Sequence, residues 1–543
     1  MDKIKIQKSS LEEKKKENSE ECLKKDASEY FKAKISNINY EGYGISRIKK
    51  QDLNEDSDEK NKNQSSNKIN KTKQKYKLLI PYALEEEIVL TTIKLKKRNV
   101  AICETPKEIS NINKNRVEPV CSYFGLCGGC FLQHMNYEKQ LELKKELLEK
   151  LFSDILFSDI NSNIDNLNKS KTLSKDYSNS PKDAPKNCEG IKKAYLEISP
   201  SKKILGYRNR VDLTISSEGF LEDNNIKNPI KKLSFRQKGV YWKTVPIEKC
   251  TIALYSINTI IKKLNHFLIE SKSTAYDIKK KEGTMRFFVI RSAENTKDFS
   301  IGLLLSKNNQ TNLAIEEFKE FCVKEEIKNS YVMLTDSLSD VSVSEEYIPL
   351  FGKNYFLEKV FENSLKIPNT SFFQVNTSGF EELLIKTKTE LLACYKDLNQ
   401  MQAIDLFCGV GTITLSLAEI FQEIKGYELE RDSVELAIEN AYSNNIKNAK
   451  FIATDLLKNE NLSKIDISKK VLILDPPRSG IGNRLIDKIN LEKPYVIVYI
   501  SCNPKSQSED IKRIKGYLIK RQFAFDIFPN TTHIENVLIM EKI

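Results

Sequence analysis

Ala403-Ile404-Asp405-Leu406-Phe407-Cys408-Gly409-Val410-Gly411-Thr412 decides the fold of the C-terminal third. Ala403 to Leu406 reads as a strand, and a helix is expected from near Ile413. Gly409 and Gly411 at such a turn let the backbone approach a ligand closely, and the helix start adds exposed N–H groups. Working outward, Glu423 to Tyr427, Val471 to Leu474 and Tyr495 to Ile500 read as further strands, separated by helical stretches. This alternation builds an open, mainly parallel α/β sheet with its ligands at the carboxyl ends of the strands. Glu428 ends the second strand, placed to hold ribose hydroxyls. The third glycine of a dinucleotide G-x-G-x-x-G is missing, so a methionine-derived sulfonium cofactor, which has no pyrophosphate, suits the turn better. The plain alternative is a tight turn with Phe407 and Cys408 as packing.

Two more strand ends carry chemistry. Val471 to Leu474 runs into Asp475-Pro476-Pro477-Arg478-Ser479-Gly480, and Tyr495 to Ile500 into Ser501-Cys502-Asn503-Pro504. Asp475 is placed to accept hydrogen bonds from a substrate amide or cofactor. D-P-P loops also serve amine methylation, so Cys502 is what selects the target atom. Carbon 5 of uracil is a poor nucleophile until a thiolate adds at C6; a base must later take the C5 proton so that the thiolate leaves. Phe528-Pro529-Asn530-Thr531-Thr532-His533-Ile534-Glu535-Asn536 reads as a loop that supplies the base, Glu535 first and His533 second. The bland readings are a buried free cysteine and a solvated carboxylate.

The whole chain sets the frame. Its 543 residues predict two to four domains, and 87 Lys+Arg against 75 Asp+Glu give a net charge of +12. That surplus favours an anionic partner such as nucleic acid. No run of eighteen apolar residues predicts a membrane span, and the N-terminus lacks a signal peptide, so a cytoplasmic enzyme without a membrane partner is expected. Eleven cysteines, an odd number, point to a reducing compartment. The expected domains are a charged disordered tail (1–28), a small β-barrel (29–105) with a polar insertion (51–74), a central α+β region (106–355) with a second insertion (158–189), and a Rossmann-like α/β domain (356–543). A helix is expected from Tyr137 to about Phe157.

Taken together, Asp405 to Gly411, Asp475-Pro476-Pro477-Arg478, Ser501-Cys502-Asn503-Pro504 and the Phe528 to Glu535 segment resemble the RNA (uracil-5-)-methyltransferase family. The resemblance implies S-adenosyl-L-methionine as cofactor, Cys502 as nucleophile and Glu535 as base. It further implies a cofactor pocket of Gln374, Phe407, Thr412, Glu428, Asp455 and Asp475. Gln374 lies in Ser371-Phe372-Phe373-Gln374, similar to the family's F-x-Q segment, where Phe372 is expected either to stack on the target base or to fill the core. Residues 29–105 resemble the TRAM-type oligonucleotide-binding barrel of the ribosomal-RNA branch. Cys121, Cys127, Cys130 and Cys250 suit a zinc ion or a [4Fe–4S] cluster on spacing alone; the resemblance implies the cluster, in a structural role.

An appended barrel and a basic chain point to RNA as substrate, because placing Cys502 against C6 requires an unstacked uridine. Tyr207-Arg208-Asn209-Arg210 and Phe235-Arg236-Gln237-Lys238-Gly239 interleave arginine and aromatics as candidate RNA contacts, or are plain surface charge. Large-subunit ribosomal RNA is the expected substrate, with tRNA the alternative, and a monomer without an obligate protein partner is expected. Cytosine-C5 methylation and an assembly factor with dispensable catalysis are the competing readings.

Overall fold

The computed structural model describes residues 30–49, 75–153, 196–217, 230–339, 341, 342, 344 and 346–543. The expected tail (1–28) and the polar insertions (51–74 and 158–189) lie outside the described residues. The chain forms two compact units, Met1–Val117 and Glu118–Ile543.

In the first unit the alternating strands Ile88–Thr91 and Val100–Cys103 bury every second side chain. Five strands form one sheet in the order Asn37–Ile38, Tyr43–Lys49, Lys75–Pro81, Val100–Cys103, Ile93–Lys97. Phe31–Lys34, Ile88–Thr91 and Glu108–Ser110 form a second. The unit runs past the expected boundary at 105 for two reasons. Glu108–Ser110 pairs with Ile88–Thr91, and Arg116 grips the buried Glu87 carboxylate through Nε (2.6 Å) and Nη2 (2.7 Å).

The second unit holds two large sheets and the antiparallel pair Tyr355–Val360 and Asn363–Pro368. Seven strands run in the order Val240–Pro246, Lys232–Gln237, Arg210–Ser216, Met285–Ser292, Phe299–Ser306, Ser330–Thr335, Glu346–Phe351. The helix Tyr255–Glu270 buries Ile257, Ile261, Leu264 and Leu268, the spacing of one apolar helical face. Its Phe267 packs edge-on against Phe288 of the sheet.

The other sheet carries the chemistry. Ala449–Ala453, Glu423–Glu428, Gln402–Leu406, Val471–Leu474 and Val496–Ser501 lie side by side and parallel. Val471–Leu474 is buried throughout, as a strand covered on both faces must be. Chain order reverses between Gln402–Leu406 and Val471–Leu474, which opens a crevice at their carboxyl ends. Beyond Val496–Ser501 come Glu535–Lys542 and Tyr517–Phe525, both antiparallel to a neighbour, and then Glu197–Ser199. That last strand belongs to the stretch expected in the central region, so the division placed at 355/356 is crossed by a shared sheet. Among the described residues no helix is long and apolar enough to cross a membrane.

The expected helix at Tyr137 is present over 137–153. It drives Lys144 into the C-terminal sheet, where Nζ meets Asp526 Oδ1 at 2.6 Å with both side chains buried. Removing one partner of such a pair strands a buried charge and costs about 3–5 kcal/mol, whereas replacing both by apolar groups is often near neutral. Lys144→Met is therefore expected to lower the thermal unfolding midpoint sharply, and Lys144→Met with Asp526→Leu to recover most of the loss in the same scan.

Candidate active site

The glycine turn meets its expectation in detail. Gly409 and Gly411 adopt φ of 54° and 82°, and a Cβ on Gly411 would come within 2.7 Å of the Phe451 ring. Phe407 also sits in the left-handed region, at φ 72°, a conformation that costs a non-glycine residue about 1–2 kcal/mol. Its N–H and that of Cys408 donate to the Tyr427 carbonyl at 2.9 and 3.1 Å, which stabilises the bend. Glu428 braces the turn from the next strand: Oε2 accepts the Gly409 N–H at 3.0 Å and Oε1 the Leu429 N–H at 2.7 Å. Oε1 also accepts the Glu430 N–H at 3.2 Å, so Oε2 is the oxygen that keeps a lone pair for a ligand hydroxyl.

The other expected cofactor residues fall around this crevice. Asp455 lies just past Ala449–Ala453, accepting the Leu457 N–H at 2.9 Å, and the neighbouring Thr454 N–H donates to the Glu428 carbonyl at 2.6 Å. Buried Thr412 opens the helix Thr412–Leu417. Across the reversal, the Gln374 amide donates to Asp475 Oδ2 at 3.5 Å. Beneath the turn, Asp405 is fully buried, accepts the Thr414 hydroxyl at 2.5 Å on one oxygen and leaves the other without a partner. Burial, opposed by the Thr414 hydrogen bond and reinforced by Asp475 and Glu428, lifts its carboxyl to about 7. Burial likewise raises Asp475. A crevice walled by crowded carboxylates, with open space at Gly409, fits a cationic sulfonium ligand.

The expected nucleophile and base are positioned by a strand register. Ser501 of Val496–Ser501 pairs with Asn536 of Glu535–Lys542 in antiparallel fashion, so Cys502 and Glu535 stand opposite each other one residue beyond that rung. Burial pushes the Cys502 thiol up to about 11, and the Glu535 charge adds to the rise. Arg478 opposes both, by its charge and by a hydrogen bond to the thiol. Glu535 is buried, its Oε2 has no partner, and burial with the charge of Asp475 holds it well above the usual carboxylate range. It is the first residue of a strand, not part of the expected loop, which ends at 534. His533 lies 3.3 Å from Arg478 through Nε2. Burial first, then the positive charges of Arg478, Lys144 and Arg208, depress it to about 4. The ring is neutral at pH 7 and braces Arg478. The D-P-P-R pattern alone gives Arg478 no role; its position in the loop that follows the buried strand Val471–Leu474 is the signal for it.

The family model for tRNA (uracil-5-)-methyltransferases matches residues 241–543. The chain belongs to that family. An RNA methyltransferase of Nanoarchaeum equitans is 30% identical over 465 residues, 85% of this chain and 89% of its own length. The tRNA (uracil(54)-C(5))-methyltransferase of Pyrococcus abyssi is 30% identical over 462 residues, covering 85% and 95%. The crystal structure of that Pyrococcus abyssi enzyme in complex with S-adenosyl-L-homocysteine superposes with a TM-score of 0.63 at 25% identity, across 94% of this chain and 100% of the other. This family member is a SAM-dependent RNA uracil-5-methyltransferase with a mixed α/β fold.

In this methyltransferase the segment leading to Glu535 is held from the central region. The Phe131 and Leu132 N–H groups donate to the Asn530 carbonyl at 2.9 and 3.0 Å, and the Tyr207 hydroxyl donates to the Pro529 carbonyl at 2.9 Å. The Asn530 amide donates to the Ile204 carbonyl at 2.7 Å, and its N–H to Gln140 Oε1 at 2.9 Å. Tyr207-Arg208-Asn209-Arg210 is thereby corrected as an RNA-facing stretch. Tyr207 is buried, Asn209 donates to the Gln374 carbonyl at 2.8 Å, and Arg210 clamps Asp212 at 2.8 Å. The second candidate stretch packs on the cysteine segment: Gly128 N–H donates to the Arg236 carbonyl at 3.0 Å and Lys238 lies over the Phe131 ring. Phe372, by contrast, is 70% exposed beside buried Phe373, so the core reading for it falls.

Cys121, Cys127, Cys130 and Cys250 line one cavity with Arg208 and Phe235. Burial is the main cause lifting Cys127 to about 11 and Cys130 to about 12, and neighbouring cysteines of the set add to it. Among the described residues no three His, Cys, Asp or Glu side chains form a group that could hold a metal ion.

The raised thiol gives a direct test. Alkylation of Cys502 by iodoacetamide, followed by peptide mass, is expected to accelerate with pH up to about 11, where the thiolate becomes the major form. Arg478→Ala removes the opposing charge and is expected to slow alkylation at every pH below that point.

Proposed function

We propose that this enzyme methylates C5 of a uridine in tRNA, through a covalent bond from Cys502 to C6 and proton removal by Glu535. The observation that carries the reading is the opposition of Cys502 and Glu535 across the ends of two paired strands, with Arg478 on the thiol and the carboxylate-walled crevice alongside. Arg478 stabilises the Cys502 thiolate as it adds to C6, and electron density moves onto C5 and the C4 oxygen. S-adenosyl-L-methionine, when bound by Gln374, Phe407, Thr412, Glu428, Asp455 and Asp475, supplies the electrophilic methyl group that C5 accepts. Glu535, as its carboxylate, then takes the C5 proton. The electrons of that C–H bond restore the C5–C6 double bond and the thiolate leaves. Exposed Phe372, next to Ser371 and two residues from Gln374, offers its ring to the unstacked base.

The choice of tRNA over the expected large-subunit ribosomal RNA rests on the uracil-54 specificity in the Pyrococcus enzyme's name, a relative aligned over most of this chain. The barrel-like first unit, in the TRAM reading, supplies the strand-tracking surface for either RNA. Cys121, Cys127, Cys130 and Cys250, which line one cavity, are the residues that would hold the [4Fe–4S] cluster implied by the family resemblance.

The test is incubation with labelled methyl donor and tRNA or ribosomal RNA transcripts, followed by nucleoside analysis. 5-Methyluridine in tRNA is expected with the wild type and at least about 10⁴-fold less with Cys502→Ala. Glu535→Gln is expected to accumulate an RNA–protein adduct that survives a denaturing gel. Label in ribosomal RNA alone would restore the original substrate; 5-methylcytidine would sink the uridine assignment.

A further inference from the structure

A cavity of about 470 Å³ opens in the central region, in the size range of small-ligand sites. Thr274, Tyr276, Thr284, Asn308 and Gln310 contribute to its wall. The Tyr276 ring is backed by the Arg286 guanidinium at 4.3 Å, and Arg286 is itself fixed by the Ser337 carbonyl at 2.5 Å. The Tyr276 hydroxyl is cut off from solvent and has no hydrogen-bond partner among the described residues, which leaves it available to a bound group. Gln310 Oε1 accepts from the Thr274 hydroxyl at 2.7 Å and the Thr284 hydroxyl at 3.2 Å, so the wall presents fixed amides and hydroxyls. Lys281 and Lys307 are offset by Glu282 and Asp336 among the lining residues. A wall of balanced charge suits the donor and acceptor edges of a neutral base better than a phosphate.

Phosphate contacts are available just outside. Asp277 and Glu282 bridge a turn that exposes Lys279, Lys280 and Lys281. Lys279 Nζ lies 6.0 Å from the ring of Trp242, the chain's single tryptophan, which is 42% exposed on the sheet's edge strand Val240–Pro246. An aromatic beside a run of lysines is how single-stranded nucleic acid is held without sequence preference.

The fold also links the cavity to the reaction centre. Thr284 on its wall directly precedes Met285–Ser292, and near the far end of that strand Arg291 donates to the Ser371 carbonyl, beside exposed Phe372. Six strand residues span roughly 20 Å, a few nucleotides of extended chain.

We propose that this cavity is an accessory subsite for one unstacked nucleotide of the substrate RNA, distinct from the target uridine, with Tyr276 as the stacking ring and Lys279 to Lys281 on the adjoining phosphates. The proposal rests on the RNA reading above and adds a second point of purchase to it.

The experiment measures binding of two RNAs at fixed salt: a full-length tRNA transcript and a minimal hairpin confined to the methylated loop. Tyr276→Ala is expected to weaken binding of the full transcript about tenfold, with less than about a twofold change on the hairpin. Replacing Lys279, Lys280 and Lys281 together by Ala, on an exposed turn where folding is not at stake, is expected to lower the slope of log affinity against log salt by about two, again on the transcript only. Wild-type affinity in both variants, or equal losses on both RNAs, overturns the subsite. Wild-type protein is assayed for 5-methyluridine in the same transcript. Its absence fails the RNA reading and the subsite with it, whereas its presence beside unaltered variant binding fails the subsite alone.

Discussion

Ser501 and Asn536 close the last rung of an antiparallel ladder, and the positions of Cys502 and Glu535 are set out from that rung. Side chains one step beyond it have little freedom to separate, because the two strands are hydrogen-bonded from Val496 to Ser501 and the first of them is buried throughout. Cys502 and Glu535 are held in opposition by backbone geometry before any side-chain contact is made. The electrostatic cost follows from the same placement. A thiol and a carboxyl brought together in a dry site raise each other's proton affinity, and at the sulfur the charge of Arg478 opposes that rise.

Holding that pair requires an anchored approach, and the central region provides it. Asn530 sits at φ 67°, an uncommon state for a side chain-bearing residue, and is fixed by bonds to its carbonyl, N–H and amide from three separate stretches. Lys144 secures the same segment through Asp526 and the Phe528 carbonyl. Tyr207, which sequence pattern alone leaves as either an RNA contact or plain surface, is instead part of this clamp.

That contrast marks how far the sequence could be read. The strands ending at Leu406, Leu474 and Ser501 were legible because an apolar run of four to six residues, cut by Gly or Asp-Pro-Pro, has few other solutions. Ala449–Ala453 was not: it is an edge strand whose side chains are mostly exposed, so Lys450 and two alanines leave no apolar period. Motifs single out Cys502 and Glu535, but their opposition is not legible in them, because register depends on which strands pair. Tyr207 to Arg210 shows the converse. Interleaved aromatics and arginines look alike whether they meet a nucleic acid or grip a buried carbonyl and carboxylate, and only burial separates the two.

The strand Glu197–Ser199 completes the sheet next to Tyr517–Phe525 although more than three hundred residues of chain separate them. Its consequence is one of inheritance. Recombination could exchange residues up to Val117 as a cassette, but any crossover between 200 and 400 would divide the catalytic sheet from its own border. Glu118–Ile543 therefore has to vary in concert, and change in one half is screened by its fit to the other.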